Sequence, residues 1–187
     1  MAILKLFSIL IMINSIFLLK DVDNKFVATN NPSSVYDIEL TDIKGEPFKL
    51  GKFQGKKILL VNVASECGYT KQYKDLQKLH EYYKEKLVVI GLPCNQFLKQ
   101  ESGNEAEIAS FCEKNFGITF ILTQKIIVKG KGQHPLYKWL TVKELNGQFD
   151  SSVKWNFQKY LLDGSGKLIK VFYSKTNPMS SELTELL

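Results

Sequence analysis

Residues 58–70 constrain the fold of this chain more than any other stretch. The stretch begins as an almost continuous apolar run, which is typical of a strand that is buried on both faces of a sheet. It then changes to small and polar residues around Cys67 and Gly68, and a helical pattern with Thr70 as its N-cap follows at once. The sequence therefore predicts that Cys67 lies in the turn between a buried strand and the start of a helix.

The predicted position of Cys67 has two interpretations. The first N–H groups of a helix have no partner within the helix and favour an anion, so a thiol placed there is favoured as its nucleophilic thiolate. A lone cysteine is more often a small buried residue with an inert thiol. The residues around Cys67 distinguish between a reactive and an inert thiol.

The use of cysteine and histidine favours redox chemistry over structural cross-links. The chain has three cysteines, Cys67, Cys94 and Cys112, without a C-x-x-C pair, so at most one disulfide can form. With only His80 and His134 as further ligands, no zinc-binding spacing is present, and we expect neither a metal nor a cofactor. Neither histidine suggests a Cys-His protease pair.

The charge of the chain excludes one class of partner. The 25 basic and 19 acidic residues give a formal net charge of +6. The lysines are scattered and form no basic cluster interleaved with aromatic residues, so we expect no binding to nucleic acid. The pattern is that of a solvated, lysine-rich surface, which would also steer an acidic protein partner.

The N-terminal part of the chain differs from the rest. Within residues 1–20, the stretch from Leu6 to Leu19 is an apolar run of signal-peptide length, shorter than the ~20 apolar residues of a membrane span. We interpret residues 1–20 as a signal or uncleaved anchor, with an amphipathic or buried helix as the alternative, and residues 21–34 as a linker. This predicts targeting to the secretory route or an organelle, with membrane association only through this segment; a cytoplasmic location is the alternative. The folded domain then spans residues 35–187.

Strand and helix patterns alternate through the domain. Strands are predicted at residues 35–40, 47–50, 58–64, 87–92, 126–128, 157–162 and 168–173, and helices at residues 70–85, 105–115, 135–140 and 180–187. The order contains an initial hairpin, a parallel strand–helix–strand unit with a right-handed crossover, and a second hairpin. It predicts an α/β fold, namely a thioredoxin-like three-layer sandwich with an N-terminal β-hairpin.

Two further stretches carry polar groups toward the edge of the sheet where Cys67 lies. The second parallel strand is followed by the loop 93–101, which contains Gln100. Trp155 and Asn156 directly precede another strand, and their indole N–H and amide groups are donors that would stabilise a thiolate. Taken singly, a core aromatic and solvated loop amides are the simpler interpretations.

Taken together, three motifs resemble a known family. They are N-V-A-S-x-C-G-x-T at residues 62–70, P-C-N-Q-F-x-x-Q-E at residues 93–101 and W-N-F at residues 155–157. In this order they resemble the glutathione peroxidase family over residues 35–187. The resemblance implies a peroxidase that reduces hydrogen peroxide and organic or lipid hydroperoxides.

The resemblance also implies roles for individual residues. Cys67 would be the peroxidatic residue that is oxidised to a sulfenic acid, and Gln100, Trp155 and Asn156 would hydrogen-bond its thiolate. Cys112 resembles the resolving cysteine of the cysteine-dependent members. Those members form a disulfide, here Cys67–Cys112, which thioredoxin rather than glutathione reduces.

The same comparison implies further features. The short segment 141–154 resembles members without the loop that builds tetramers, which implies a monomer. Cys112 is predicted on the apolar face of a helix, so we expect the reduced form to keep the two sulfurs apart and residues 105–115 to unwind before they join. Gly103 and Gly117 would absorb that change.

Some positions leave alternatives open. Leu92, Leu98 and Ser102 stand where the family commonly has an aromatic residue, Gly and Pro, which affects the geometry of the loops rather than the chemistry. Cys94 would pack beneath the active loop or act as an alternative resolving thiol.

Two other functions compete with a recycling peroxidase. One is a peroxide sensor or redox relay, in which Cys67 passes its oxidation to a partner protein. The other is a non-catalytic binding module, which would not need Gln100, Trp155 and Asn156.

Overall fold

A computed structural model describes residues 34–187, and these residues form a five-stranded mixed sheet, a separate two-stranded hairpin and helices on both faces of the sheet. The strands are β1 (Glu39–Thr41), β2 (Pro47–Lys49), β3 (Lys57–Val63), β4 (Leu87–Pro93), β5 (Ile121–Leu122), β6 (Lys159–Leu162) and β7 (Leu168–Phe172). The α-helices are α1 (Gln72–Tyr83), α2 (Glu105–Phe116), α3 (Pro135–Thr141), α4 (Lys143–Asn146) and α5 (Ser181–Thr184).

The central sheet has the order β5-β4-β3-β6-β7. Strand β3 pairs in parallel with β4 and antiparallel with β6, so it lies in the middle of the sheet, as its apolar sequence predicts. Strands β1 and β2 form the predicted N-terminal hairpin. The predicted three-layer, thioredoxin-like α/β fold is confirmed.

Alternate side chains of β3 supply two separate cores, one on each face of the sheet. Leu59, Val61 and Val63 pack with apolar residues of α1, α2 and α5. Ile58 and Leu60 pack on the opposite face with residues of α3 and of the hairpin. Because all five side chains are fully buried, a shift of β3 by one residue would exchange the two cores, and burial therefore fixes its register.

One predicted strand is wrong. Residues 126–128 form a loop, and the edge strand of the sheet is instead β5, which pairs with β4. Ile126 and Val128 are buried, which explains their apolar pattern, but their N–H groups bind the Pro93 carbonyl at 2.9 Å and the Gln96 side chain at 2.7 Å. The apolar run here reports burial of a loop against the core and not pairing in a sheet.

Several predicted boundaries also need correction. Helix α1 begins at Gln72 and not at Thr70, the first strand is preceded by a 3-10 turn at Val35–Asp37, and the strand predicted from residue 157 starts at Lys159. Helix α4 was not predicted, and α5 is shorter than residues 180–187. Ends of elements depend on local hydrogen bonds that periodicity does not report.

The predicted leader at residues 1–20 and nearly all of the predicted linker at residues 21–34 lie outside the described residues. Among residues 34–187, no helix combines the length and the apolar character needed to cross a membrane.

Candidate active site

The turn that carries Cys67 is held by its own hydrogen bonds. Thr70 is not an N-cap, because its hydroxyl accepts from the Cys67 N–H at 3.0 Å and donates to the Ala64 carbonyl at 2.8 Å. The Tyr69 N–H lies 3.4 Å from the Cys67 sulfur and donates to it. The sulfur therefore has a backbone donor within its own turn, and not at the helix terminus that the sequence predicted.

Cys67 is the most accessible of the three cysteines, although the residue is only 8% exposed, whereas Cys94 and Cys112 are fully buried. All three are free thiols. Exposure of Cys67 at the end of a central strand favours a reactive over a purely structural cysteine.

Gln100 connects the Cys67 turn to the segment around Asn156. The Gln100 carbonyl accepts from the N–H of Glu66, the residue before Cys67, at 3.0 Å. Its side-chain oxygen accepts from Asn156 Nδ2 at 3.1 Å. Since this bond uses the amide oxygen of Gln100, its two N–H donors are left for other groups.

Trp155 and Asn156 lie in a tight turn that is fixed to β3. Asn62, a polar residue inside the apolar strand, donates from Nδ2 to the Trp155 carbonyl at 3.0 Å and accepts from the Phe157 N–H at 2.6 Å through its backbone. The indole of Trp155 packs on Phe97 with ring centroids 5.4 Å apart. Asn156 is fully buried, and its Oδ1 has no hydrogen-bond partner among residues 34–187.

The structure thus brings four of the five predicted site residues to one edge of the sheet. Gln100 contacts both the Cys67 turn and Asn156 directly, and Trp155 packs against the same core cluster that contains Cys67. Sequence analysis did not assign a role to Asn62. The signal was present, because a polar residue in the middle of a buried strand requires hydrogen-bond partners.

Cys112, the fifth residue, lies on α2 in the same core cluster as Cys67. Burial raises the pKa of the Cys112 thiol to about 11, and the nearby Tyr73 hydroxyl offsets this only in part. Helix α2 is closed at both ends, by a capping box between Asn104 and Glu107 and by Gly117 in the left-handed conformation with φ 61°. In this state Cys112 is held as a neutral thiol within an intact helix.

Cys94 belongs to the other core. It packs on the face of the sheet opposite Cys67 and Cys112. Burial raises the pKa of its thiol. Both observations favour the packing role over that of an alternative resolving thiol.

Leu98 shows why the resemblance expects glycine at this position. Its φ of 54° lies in the left-handed region, where a side chain is unfavourable, and the side chain is 77% exposed. The loop therefore keeps a glycine-like turn in spite of the substitution.

Glu101 is a buried carboxyl next to Gln100 that sequence analysis passed over. Its side chain is 1% exposed and its Oε2 has no hydrogen-bond partner among the described residues. Burial raises the pKa of Glu101 from its ordinary value of 4.5 to about 7, and Ser65 beside the carboxyl offsets part of this rise. A glutamate in a polar loop is normally solvated, so nothing in the sequence alone indicated burial.

Replacement of Glu101 by glutamine should make stability less dependent on pH. The folded state holds the Glu101 proton more tightly than the unfolded chain, so the free energy of unfolding falls as the pH rises from 4.5 to about 7. Glutamine has no such penalty, and Glu101→Gln is expected to gain about 3 kcal/mol at pH 8 relative to its effect at pH 4, since one pKa unit corresponds to about 1.4 kcal/mol. Urea denaturation across this range measures the difference.

The matched control is Glu85→Gln, an exposed glutamate, for which we expect a change below about 0.5 kcal/mol at either pH. If Glu101→Gln changed the stability equally at pH 4 and pH 8, the raised pKa would be refuted.

The two histidines have structural contacts. His134 precedes α3, and its Nδ1 accepts from the Leu136 N–H at 3.1 Å. The ring of His80 packs edge-on against Phe120. Within residues 34–187, no group of three or more His, Cys, Asp or Glu side chains is arranged to hold a metal ion.

The chain resembles known proteins in sequence. The family model for glutathione peroxidase matches residues 35–141. The chain is 44% identical over 158 residues to glutathione peroxidase-like peroxiredoxin 2 of Saccharomyces cerevisiae, covering 83% of this chain and 98% of the yeast protein. It is also 44% identical over 155 residues to a glutathione peroxidase of Lactococcus lactis, covering 81% of this chain and 98% of that protein.

A solved structure agrees with these relatives. The crystal structure of Trgpx in its apo form matches with a TM-score of 0.62 and 35% identity, over 81% of this chain and 94% of that one.

Proposed function

The chain belongs to the glutathione peroxidase family and is a thiol peroxidase, and we propose that it reduces hydrogen peroxide and organic or lipid hydroperoxides through a Cys67 sulfenic acid and a Cys67–Cys112 disulfide that thioredoxin recycles. The observation that carries the proposal is the position of Cys67: it is the most accessible of the three thiols, and a backbone N–H donates to its sulfur. The neighbouring turn links to Asn156 through Gln100.

The first step is oxidation of Cys67. Its thiolate attacks the O–O bond of the hydroperoxide, so that an S–O bond forms, the O–O bond breaks and the leaving alkoxide or hydroxide takes up a proton to become an alcohol or water. In this proposal the Gln100 amide, the Trp155 indole and the Asn156 amide donate hydrogen bonds to the charge that moves from sulfur to the leaving oxygen.

The second step joins Cys112 to Cys67. The Cys112 thiol loses its proton and its sulfur displaces the hydroxyl of the Cys67 sulfenic acid, giving a disulfide and water. We infer that α2 opens for this step, because Cys112 is fully buried within an intact helix and a disulfide forms only between suitably oriented cysteines with Cα atoms within about 7 Å. Opening also removes the burial that keeps the thiol protonated.

The third step is reduction of the Cys67–Cys112 disulfide by the dithiol of thioredoxin, which donates two electrons and two protons, restores both thiols and leaves as its own disulfide. Glutathione is the alternative reductant. The net positive charge would favour encounter with an acidic partner protein.

The proposal includes a monomer, because the segment between α3 and Trp155 is short and is occupied by α4. It also includes delivery to the secretory route or an organelle by residues 1–20, with a cytoplasmic location as the alternative.

The test is peroxide-dependent oxidation of NADPH by the purified chain. Two assays are run in parallel, one with thioredoxin and thioredoxin reductase and one with glutathione and glutathione reductase. We expect turnover with thioredoxin at least about 10-fold faster than with glutathione, since a Cys67–Cys112 disulfide is a substrate for a dithiol. Faster turnover with glutathione would remove Cys112 from the mechanism.

A third result would favour the redox relay over the recycling peroxidase. In that case dimedone would trap the Cys67 sulfenic acid, but neither assay would show turnover.

A further inference from the structure

Lys159 is a charged residue in the interior of the protein, on strand β6. Its side chain is fully buried, and no carboxylate forms an ion pair with it in the described part of the chain. Burial lowers the pKa of its ammonium group to about 7. A lysine in such a place is costly, and an apolar side chain would fill the space without the cost.

The Lys159 ammonium makes two short hydrogen bonds to parts of the chain that flank the active site. It donates to the Phe157 carbonyl at 2.8 Å and to the Gln72 side-chain oxygen at 2.7 Å. The Gln72 amide nitrogen in turn donates to the Ser174 carbonyl at 2.6 Å. Both polar atoms of the Gln72 side chain are thus used, and Gln72 is fixed in one orientation.

These contacts join the two turns that carry the predicted site residues. Phe157 directly follows Trp155 and Asn156, and Gln72 is the first residue of α1, which begins where the Cys67 turn ends. We propose that Lys159 is a positioning residue of the peroxidase site, which holds the Trp155–Asn156 turn at a fixed distance from the Cys67 turn through Phe157 and Gln72. The inference rests on the proposed function of these residues.

The conformation of Phe157 explains why the turn needs such a support. Its φ of 62° is in the left-handed region, which costs about 1–2 kcal/mol for a residue with a side chain. Its N–H is held by the Asn62 carbonyl at 2.6 Å and its carbonyl by Lys159. Loss of the second bond would let the peptide after Phe157 rotate, so that the turn could relax.

Relaxation of this turn would change the alignment of Asn156 with Gln100 more than it would change the Cys67 thiol itself. Asn156 reaches Gln100 through one hydrogen bond of 3.1 Å, which depends on the orientation of the turn. The Cys67 sulfur accepts from the Tyr69 N–H, the Cys67 N–H donates to the Thr70 hydroxyl, and neither bond involves Lys159. Reaction with peroxide should therefore fall, whereas reaction with an alkylating agent, which needs only the thiolate, should not.

The experiment compares Lys159→Met and Gln72→Met with Gln77→Met. Gln77 lies on the same helix, is 6% exposed like Gln72, and bonds to Thr119, away from the site. In single-turnover oxidation of Cys67 by hydrogen peroxide, we expect about a 30-fold loss for Lys159→Met, about a 10-fold loss for Gln72→Met and less than about a 2-fold change for Gln77→Met. The rate of Cys67 alkylation by iodoacetamide should stay within about 3-fold of wild type in all three.

Defined results would overturn the proposal. Folded Lys159→Met that oxidises at the wild-type rate would do so, as would Gln77→Met losing as much as Gln72→Met, because the loss would then reflect general stability. If Lys159→Met does not fold, Gln72→Met against Gln77→Met decides the question. Wild-type protein that forms no sulfenic acid would instead refute the proposed function.

Discussion

Cys67→Ser is expected to lower the rate constant for reaction with hydrogen peroxide by about 10³-fold or more, because the nucleophile is lost. A serine hydroxyl remains protonated near neutral pH and does not form the sulfenic acid that the reaction requires. The fold should be retained, since the change replaces one atom in a turn whose other hydrogen bonds involve backbone groups and Thr70. Stopped-flow consumption of peroxide measures the rate constant.

Cys94→Ser is the matched control for this experiment. The same replacement is made at a second thiol of the chain, but on the opposite face of the sheet. We expect it to lower the free energy of unfolding by about 1–3 kcal/mol, because it buries a hydroxyl, and to leave the peroxide rate constant within about 3-fold. More than a tenth of wild-type activity in Cys67→Ser, or its loss in Cys94→Ser, would contradict the assignment of Cys67.

The elements that follow from burial were predictable from the sequence. Strand β3 is apolar on both faces and lies at the centre of the sheet, and the pattern of buried Tyr73, Leu76 and Leu79 gives α1 its inward face. The hydrophobic periodicity and the order of the elements were enough to predict the layers of the fold and the edge of the sheet at which Cys67 lies.

The errors occur where hydrogen bonds to side chains replace regular secondary structure. Thr70 has the residue type of an N-cap, but its hydroxyl serves the Cys67 turn. Ile126 and Val128 belong to an apolar run like that of a strand, but Gln96 and Pro93 satisfy their backbone. These last contacts join residues far apart in the chain, which a local pattern does not relate, so propensity favoured the commoner structure.

The supporting residues of the site were also out of reach of the sequence patterns. Gln100, Trp155 and Asn156 were found because three separated motifs resemble a family, and not because their side chains differ from loop and core residues. Glutamate and lysine normally lie on the solvated surface, but Glu101 and Lys159 are both buried. Only the packed structure shows that these charged side chains point inward, where burial changes both pKa values.

Cys112→Ser is expected to separate the two halves of the catalytic cycle. Oxidation of Cys67 by peroxide should stay within about 3-fold of wild type, because Cys112 contributes no hydrogen bond to the Cys67 turn, whereas turnover with thioredoxin should fall by about 10²-fold or more, because no intramolecular disulfide can form. Peroxide consumption and NADPH oxidation by the same sample measure the two rates. Dimedone should label Cys67 to near completion in this variant and only weakly in wild type.

The buried state of Cys112 makes this result specific. A thiol with a pKa of about 11 inside α2 is a poor nucleophile in the reduced protein, so the proposed disulfide step predicts that the helix opens after Cys67 is oxidised. Hydrogen exchange of residues 105–116 should therefore be faster in the wild-type disulfide form than in the reduced form, and Cys112→Ser should show no such change upon oxidation.

Cys94→Ser should keep thioredoxin-linked turnover, since Cys94 would have to reach Cys67 across the sheet. Full turnover in Cys112→Ser together with its loss in Cys94→Ser would transfer the resolving role to Cys94.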